Sequence, residues 1–166
     1  MTLTKKTIIL GIDPGYAITG WSILAKEKQN LKLIKYGVIT TPQKMEHAER
    51  LNSLNQELNK IIKKYKPDIL AIEDLFFFKN LKTAIKVAEA RGVILMTAIE
   101  NKLKIKEFTP LQIKQALVGY GRAEKKQIQE MVKMILNLKK IPKPDDAADA
   151  VAVAICCANS TTINHE

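Results

Sequence analysis

Asp13, Glu73, Asp146 and Asp149 are the residues of this chain best placed to do chemistry. Asp13 closes the apolar run Thr7-Ile8-Ile9-Leu10-Gly11-Ile12, and Glu73 closes Ile69-Leu70-Ala71-Ile72. A run of this kind that ends on a carboxylate delivers the charge to the edge of a buried sheet. Asp146 and Asp149 stand three apart in Asp145-Asp146-Ala147-Ala148-Asp149, a spacing that puts both on one helix face. Carboxylates gathered in one place repel one another unless a cation sits between them. Hard oxygen donors select Mg²⁺ or Mn²⁺. Two such ions about 3.5–4 Å apart can activate a water and stabilise the leaving oxygen of a phosphodiester. Each piece alone has a plainer reading. Gly11-Ile12-Asp13-Pro14-Gly15 can be a simple strand exit, and Asp145 or Asp146 can merely favour a helix start. The combination is what points to metal-dependent chemistry.

The background against which these acids stand is basic. Twenty-seven Lys and Arg face seventeen Asp and Glu, a net charge of +10. Such an excess is the footprint of a phosphate backbone, and binding of this kind weakens steeply with salt. A solvated Lys-rich surface gives the same number, so the charge counts only together with the acids. Cys156 and Cys157 are adjacent in an apolar run. Neighbours on a helix point apart, which argues against a mutual disulfide, and two cysteines without spaced histidines argue against zinc. No apolar run approaches the ~20 residues of a membrane span. Met1 to Lys6 lead straight into a strand without a signal-peptide pattern, so the cytoplasm is the expected location.

The elements that must position the acids can be read in order. Residues 7–13 predict a buried strand ended by Asp-Pro-Gly. Residues 19–25 and 31–40 predict two more, joined by the polar link 26–30, which gives an antiparallel meander. Leu51, Leu54, Leu58, Ile61, Ile62 and Tyr65 recur at helical spacing and stop before Lys66-Pro67. The strand at 69–73 follows that helix and should lie parallel to the first through a right-handed crossover. Asn80 predicts the cap of a second helix to about Ala98, rich in small residues. A short strand at 105–108, a helix from Pro110 to near Gly119, a fourth helix striped by Ile128, Met131, Val132, Ile135 and Leu138, and a last helix from about Asp146 to Ala158 complete the chain. One domain over 1–158, with a short polar tail over 159–166, is expected. The fold class is α/β, a mixed sheet with helices on both sides.

Two further stretches stand out. Phe76, Phe77 and Phe78 are consecutive just after Glu73. No helix or strand period buries three adjacent rings, so one ring is free to stack on an unpaired base, or all tuck under the next helix. Gly119-Tyr120-Gly121-Arg122 with Lys125 and Lys126 forms a basic turn before a helix start, which offers N–H groups to phosphate. A solvated corner between helices is the plainer reading. Lys114 precedes this turn in Gln112-Ile113-Lys114-Gln115. His47 and His165 lack partner spacing and read as surface residues; Tyr16 and Trp21 read as packing residues.

Taken together these motifs resemble the RuvC family of Holliday-junction resolvases, from Ile8 to about Ala158. Gly11-Ile12-Asp13-Pro14-Gly15 with Thr19-Gly20, Ile72-Glu73 with Phe76 and Lys79-Asn80, Ala90-Arg91-Gly92, Pro110 to Lys114, Gly119 to Lys125 and Asp146-Ala147-Ala148-Asp149-Ala150 carry the likeness. The resemblance implies a ribonuclease-H-like fold with a five-stranded mixed sheet. It implies a homodimer that cuts four-way DNA junctions with Mg²⁺ or Mn²⁺, two ions per site, alongside the RuvA–RuvB branch-migration complex. It maps the catalytic, metal-holding acids onto Asp13, Glu73, Asp146 and Asp149, the base-unstacking aromatic onto Phe76, and phosphate contacts onto Lys114 and Lys125. Arg122 joins these as a DNA-binding candidate from the basic turn, and the helix from Asn80 to Ala98 is the expected dimer face.

Other readings stay open on sequence alone. A related nuclease for RNA or plain duplex would be monomeric and indifferent to branches. A sugar-kinase or actin-like ATPase also has a first strand ending in Asp-x-Gly before Thr-Gly, but needs two such domains. A catalytically dead DNA-binding module would gain nothing from four carboxylates facing phosphate.

Overall fold

A computed structural model describes residues 6–74 and 80–160. The meander is built from β1 (Thr7–Asp13), β2 (Ile18–Glu27) and β3 (Asn30–Thr40), followed by α1 (His47–Tyr65), β4 (Ile69–Glu73), α2 (Leu81–Glu100), β5 (Lys104–Phe108), α3 (Pro110–Val118), α4 (Lys125–Ile135) and α5 (Asp145–Ser160). The sheet order is β3-β2-β1-β4-β5. β1 pairs antiparallel with β2 and parallel with β4, the neighbour expected after the helix α1.

Alternation along the strands feeds two cores. Ile9, Leu24, Ile69 and Ala71 face α3, α4 and α5. Leu10, Ile12, Ile23, Leu70 and Ile72 face α1 and α2. The central strands are apolar on both faces because helices cover both. α5 is the most enclosed helix: Ala147, Ala148 and every residue from Ala150 to Ala158 are buried. Among the described residues neither of its cysteines is in a disulfide, and burial pushes the Cys156 thiol up to about 12 and that of Cys157 to about 11. Neither is a nucleophile at neutral pH. None of the described helices is long and apolar enough to cross a membrane.

The element boundaries depart from the sequence reading most in three places. β2 and β3 extend into the expected link and leave Lys28-Gln29 as a tight turn, with Lys28 at φ 55°. α4 stops at Ile135 because Asn137 turns left-handed (φ 49°), and Leu138 reaches the core from the following turn. α5 runs to Ser160, so Asn159 and Ser160 continue the helix beyond the expected boundary at 158. The caps match expectation. Asn80 accepts the backbone N–H groups of Lys82 and Thr83, and Pro110 opens α3 behind the Thr109 capping box.

Candidate active site

Sheet register brings the first two acids together. Ile12 pairs with Ile72 across the parallel β1–β4 ladder, so Asp13 and Glu73 leave adjacent strands side by side. Asp13 also sits opposite Gly20 on β2. α5 lies directly on this pair of strands, and glycine is the reason it can. A Cβ on Gly20 would stand 1.9 Å from the Asp146 carbonyl oxygen, and one on Gly11 would stand 2.3 Å from that of Ala150. Ser22 Oγ donates to the same Ala150 carbonyl at 3.0 Å. The first turns of α5, which carry Asp146 and Asp149, are thereby seated on the strand partner of Asp13.

The crowding has an electrostatic signature. Burial, then the charges of Glu73, Asp149 and Asp146, push the Asp13 carboxyl up to about 8. Burial and the Asp149 charge also raise Glu73, while a hydrogen bond from Asp13 and the charges of Lys114 and Lys125 oppose the rise. Asp13 therefore keeps its proton at neutral pH in the absence of a cation and donates a hydrogen bond to the Glu73 carboxylate. Asp149 is raised by burial, against the opposing pull of Lys125. The set is all oxygen, hard and negatively charged, and without a cation its burial favours a proton between two members of it. A divalent cation would take that proton's place, so the donors fit Mg²⁺ or Mn²⁺. Among the described residues no three acidic, histidine or cysteine side chains already surround one ion position.

Two lysines flank the acids. Lys125 Nζ lies 3.1 Å from Asp149 and 3.6 Å from Asp145. Burial pulls its ammonium down, but its hydrogen bond to Asp149 and the charges of Asp149 and Asp145 outweigh this and raise it. Lys114, Lys125, Glu73 and Asp149 line a cleft of about 210 Å³, floored by Ile113, Ile128 and Val153. Arg122 lines a different groove, with Tyr120 and Lys126, between α3 and α4. Lys125 and Lys126 diverge because consecutive helical residues point about 100° apart. Phe76 lies outside the described residues.

Several residues matter more than their sequence context suggested. Asp145 is not only an acid at a helix start: it accepts from Gln129 Nε2 at 3.2 Å and from Lys143 Nζ at 3.1 Å, and faces Lys125. Arg91 donates from Nε to the Glu73 carbonyl at 3.4 Å and pairs with Asp74 and Glu107, bracing the end of β4. His47 is not an unpartnered surface residue, since Tyr16 Oη and Glu89 hold its two ring nitrogens. Arg50 is buried at the head of the α1 stripe with Leu54, Leu58 and Ile62. That spacing was the available signal for it.

The Asp13 carboxyl also sets a stability expectation for the protein without divalent cations. Its folded value lies above its unfolded one, so between about pH 4 and pH 8 the native state keeps a proton that the unfolded chain releases. Stability from this group is present below about pH 4 and is lost as pH rises to about 8. The gap corresponds to an upper limit of about 6 kcal/mol, of which relaxation leaves about 2–3 kcal/mol. In EDTA, Asp13→Asn should raise the melting temperature at pH 8.5 by about 5–10 °C and leave it little changed at pH 4. Thermal scans at the two pH values check this; equal shifts at both would contradict it.

Comparison with known proteins shows the family. The family model described as "Crossover junction endodeoxyribonuclease RuvC" matches residues 9–157. A protein of that name from Halothermothrix orenii is 53% identical over 96% of this chain and 96% of its own. The Thermus thermophilus RuvC structure superposes with a TM-score of 0.86 at 32% identity, covering 92% of this chain and 94% of that one. T. thermophilus RuvC in complex with Holliday junction substrate gives 0.84 at 30% identity with the same coverage. With its acids carried on β1, β4 and the helix pressed across them, this chain belongs to the RuvC family of crossover junction endodeoxyribonucleases.

Proposed function

We propose that the protein resolves four-way DNA junctions, acting in recombination and repair by paired phosphodiester cuts on opposite strands. The observation that carries this is the acidic knot at the ends of β1, β4 and α5, where Asp13 and Glu73 leave adjacent strands under the helix that bears Asp146 and Asp149, in a chain of net charge +10. Family membership and the T. thermophilus relative's complex with Holliday junction substrate support the choice of DNA.

Asp13, Glu73, Asp146 and Asp149 would hold Mg²⁺, with Mn²⁺ as a substitute and two ions per site. Bound there, such ions supply a water of lowered pKa and charge stabilisation at the departing oxygen. The chain's own residues do the rest. Lys125 leaves Asp149 as the scissile phosphate enters, and with Lys114 it holds the non-bridging oxygens in the cleft. Arg122 grips the backbone of a neighbouring arm from the outer groove. Phe76 stacks on a base at the crossover. The bond broken is that to the 3′-oxygen, which leaves a 3′-hydroxyl and a 5′-phosphate. Incubating the protein with a synthetic four-way junction, with and without Mg²⁺, and mapping the cuts tests the reading. Cuts that ignore the branch point or need no divalent cation would overturn it.

A two-fold dimer suits a substrate that is itself nearly two-fold. α2 supports it: Leu81, Ile85, Ala88, Gly92, Met96 and Ile99 recur at 3–4 spacing, all exposed, with Leu81 74% and Ile99 64% accessible. No atom lies within 4 Å of a Cβ built on Gly92, so a partner helix could approach closely there. The expected result for Ile85→Glu is self-association weakened about 30-fold, or ~2 kcal/mol, with single nicks replacing paired ones. Sedimentation equilibrium reads the first and a supercoiled cruciform plasmid the second. The same reading places the protein in the cytoplasm, beside the RuvA–RuvB motor that its family membership suggests.

A further inference from the structure

The loop after Asp13 is pinned from several sides. Carbonyl oxygens of three consecutive residues each accept a bond from outside the loop. Thr19 Oγ1 donates to Gly15 at 2.9 Å, Thr41 Oγ1 donates to Tyr16 at 2.9 Å, and Thr41 N–H donates to Ala17 at 3.0 Å. Behind Thr41 stands Arg50, only 7% exposed. Its Nε donates to Thr41 Oγ1 and its Nη2 to the Thr41 carbonyl, both at 3.1 Å. Its guanidinium carbon lies 3.9 Å from the centre of the Tyr16 ring. The ring's hydroxyl reaches His47 Nδ1 at 2.8 Å, and His47 Nε2 reaches Glu89 on α2.

Among the described residues no carboxylate forms an ion pair with Arg50. A buried cation without a counter-charge is costly, and a Leu or Met at this stripe position would fill the same space at lower cost. What only Arg supplies is a planar fork that can donate twice while its face stacks on an aromatic ring. Here the fork holds Thr41 and the face holds Tyr16, and Thr41 and Tyr16 hold the loop. Asp13 lies two residues before Gly15, with the rigid Pro14 between them.

We infer that Arg50 is a positioning residue for the reaction: through Thr41 and Tyr16 it fixes the loop that follows Asp13, and so fixes where the Asp13 carboxylate stands. This rests on Asp13 as a cation ligand. Arg50 touches neither substrate nor reacting atoms, and its effect passes through the backbone of the loop.

The test uses the full-length protein with Arg50→Lys and Thr41→Val, since the second removes the hydroxyl that links Arg50 to the Tyr16 carbonyl and keeps the side-chain shape. Mn²⁺ binding without DNA is read by electron paramagnetic resonance, junction affinity by gel shift, and the cleavage rate in single turnover. In both variants the half-saturating Mn²⁺ should rise about fivefold and the rate should fall about tenfold, with junction affinity within about twofold of wild type. A purely structural role would lower only the melting temperature. A folded variant with wild-type Mn²⁺ affinity and rate, under conditions where Asp13→Asn is inactive, overturns this inference alone. Normal cleavage by Asp13→Asn overturns the underlying reading as well. If Arg50→Lys does not fold, Thr41→Val decides the matter.

Discussion

Asp13→Asn should lower the single-turnover cleavage of a four-way junction by at least about 10³-fold while leaving junction binding intact. The substitution keeps the shape of the side chain and its place opposite Gly20. It removes the one group that the other three acids most strongly act upon. An amide cannot give up a proton to become an anionic ligand, so the position between Asp13 and Glu73 is left with one anionic donor instead of two. Losing one preorganised electrostatic contact to a transition state typically costs about 10²–10³ in rate, and losing a direct cation ligand removes the ion's own contribution as well. Binding should not fall, because a carboxyl that carries a proton without the cation, and is neutralised by the cation when it is bound, contributes no attraction to a polyanion. A labelled synthetic junction in Mg²⁺, followed by denaturing gel for cleavage and native gel for binding, reads both quantities. Normal cutting by this variant would remove Asp13 from the mechanism and with it the proposed site.

The same substitution should stabilise the cation-free protein at alkaline pH, for the reason given above. Gain of stability with loss of activity is the mark of a site whose repulsion serves function at the expense of the fold. An acid retained only to cap a helix or end a strand would show the opposite pairing.

How much of this was legible in the chain differs from residue to residue. The strands ending at Asp13 and Glu73 could be read because their apolar runs, buried from Ile9 to Ile12 and from Ile69 to Ile72, are closed by a charge. Their adjacency was the expectation from a simple crossover through α1, and the ladder between β1 and β4 has it. Asp146 and Asp149 shared a face by spacing alone. The close seating of α5 was not legible, because Gly11 and Gly20 look like ordinary strand glycines until the carbonyls of Asp146 and Ala150 are seen above them. Lys125 and Arg122 lie in one basic turn by sequence, yet the start of α4 sends the first to the acids and leaves the second in another groove. Arg50 was hidden by its charge. Its place in the stripe with Leu54 and Leu58 indicated the core, whereas residue type argued for solvent. The base-stacking role expected of Phe76 falls outside the described residues.

Gly20→Ala should be among the most damaging small substitutions in the protein. Its new methyl would meet backbone, with the Asp146 carbonyl oxygen at 1.9 Å and its carbon at 2.4 Å. A flexible side chain could swing away, but a peptide plane in the first turn of α5 can yield only if the helix lifts or the strand bends. Overpacking of this kind costs about 1–3 kcal/mol, and a rigid backbone partner places it at the upper end. For a chain of this size about 3 kcal/mol lowers the melting temperature by roughly 6–12 °C. The consequence for activity should be larger. The helix that would have to lift carries Asp146 and Asp149, and the strand that would have to bend pairs with Asp13. A displacement of about 1 Å in such a constellation costs on the order of 10²-fold in rate. Folded Gly20→Ala, assayed well below its melting temperature, should therefore cleave about a hundredfold more slowly and require more Mn²⁺ to do so. If it melts early but cleaves normally once folded, the seating of α5 on β2 contributes only to stability, and the second pair of acids is not held in place by this contact.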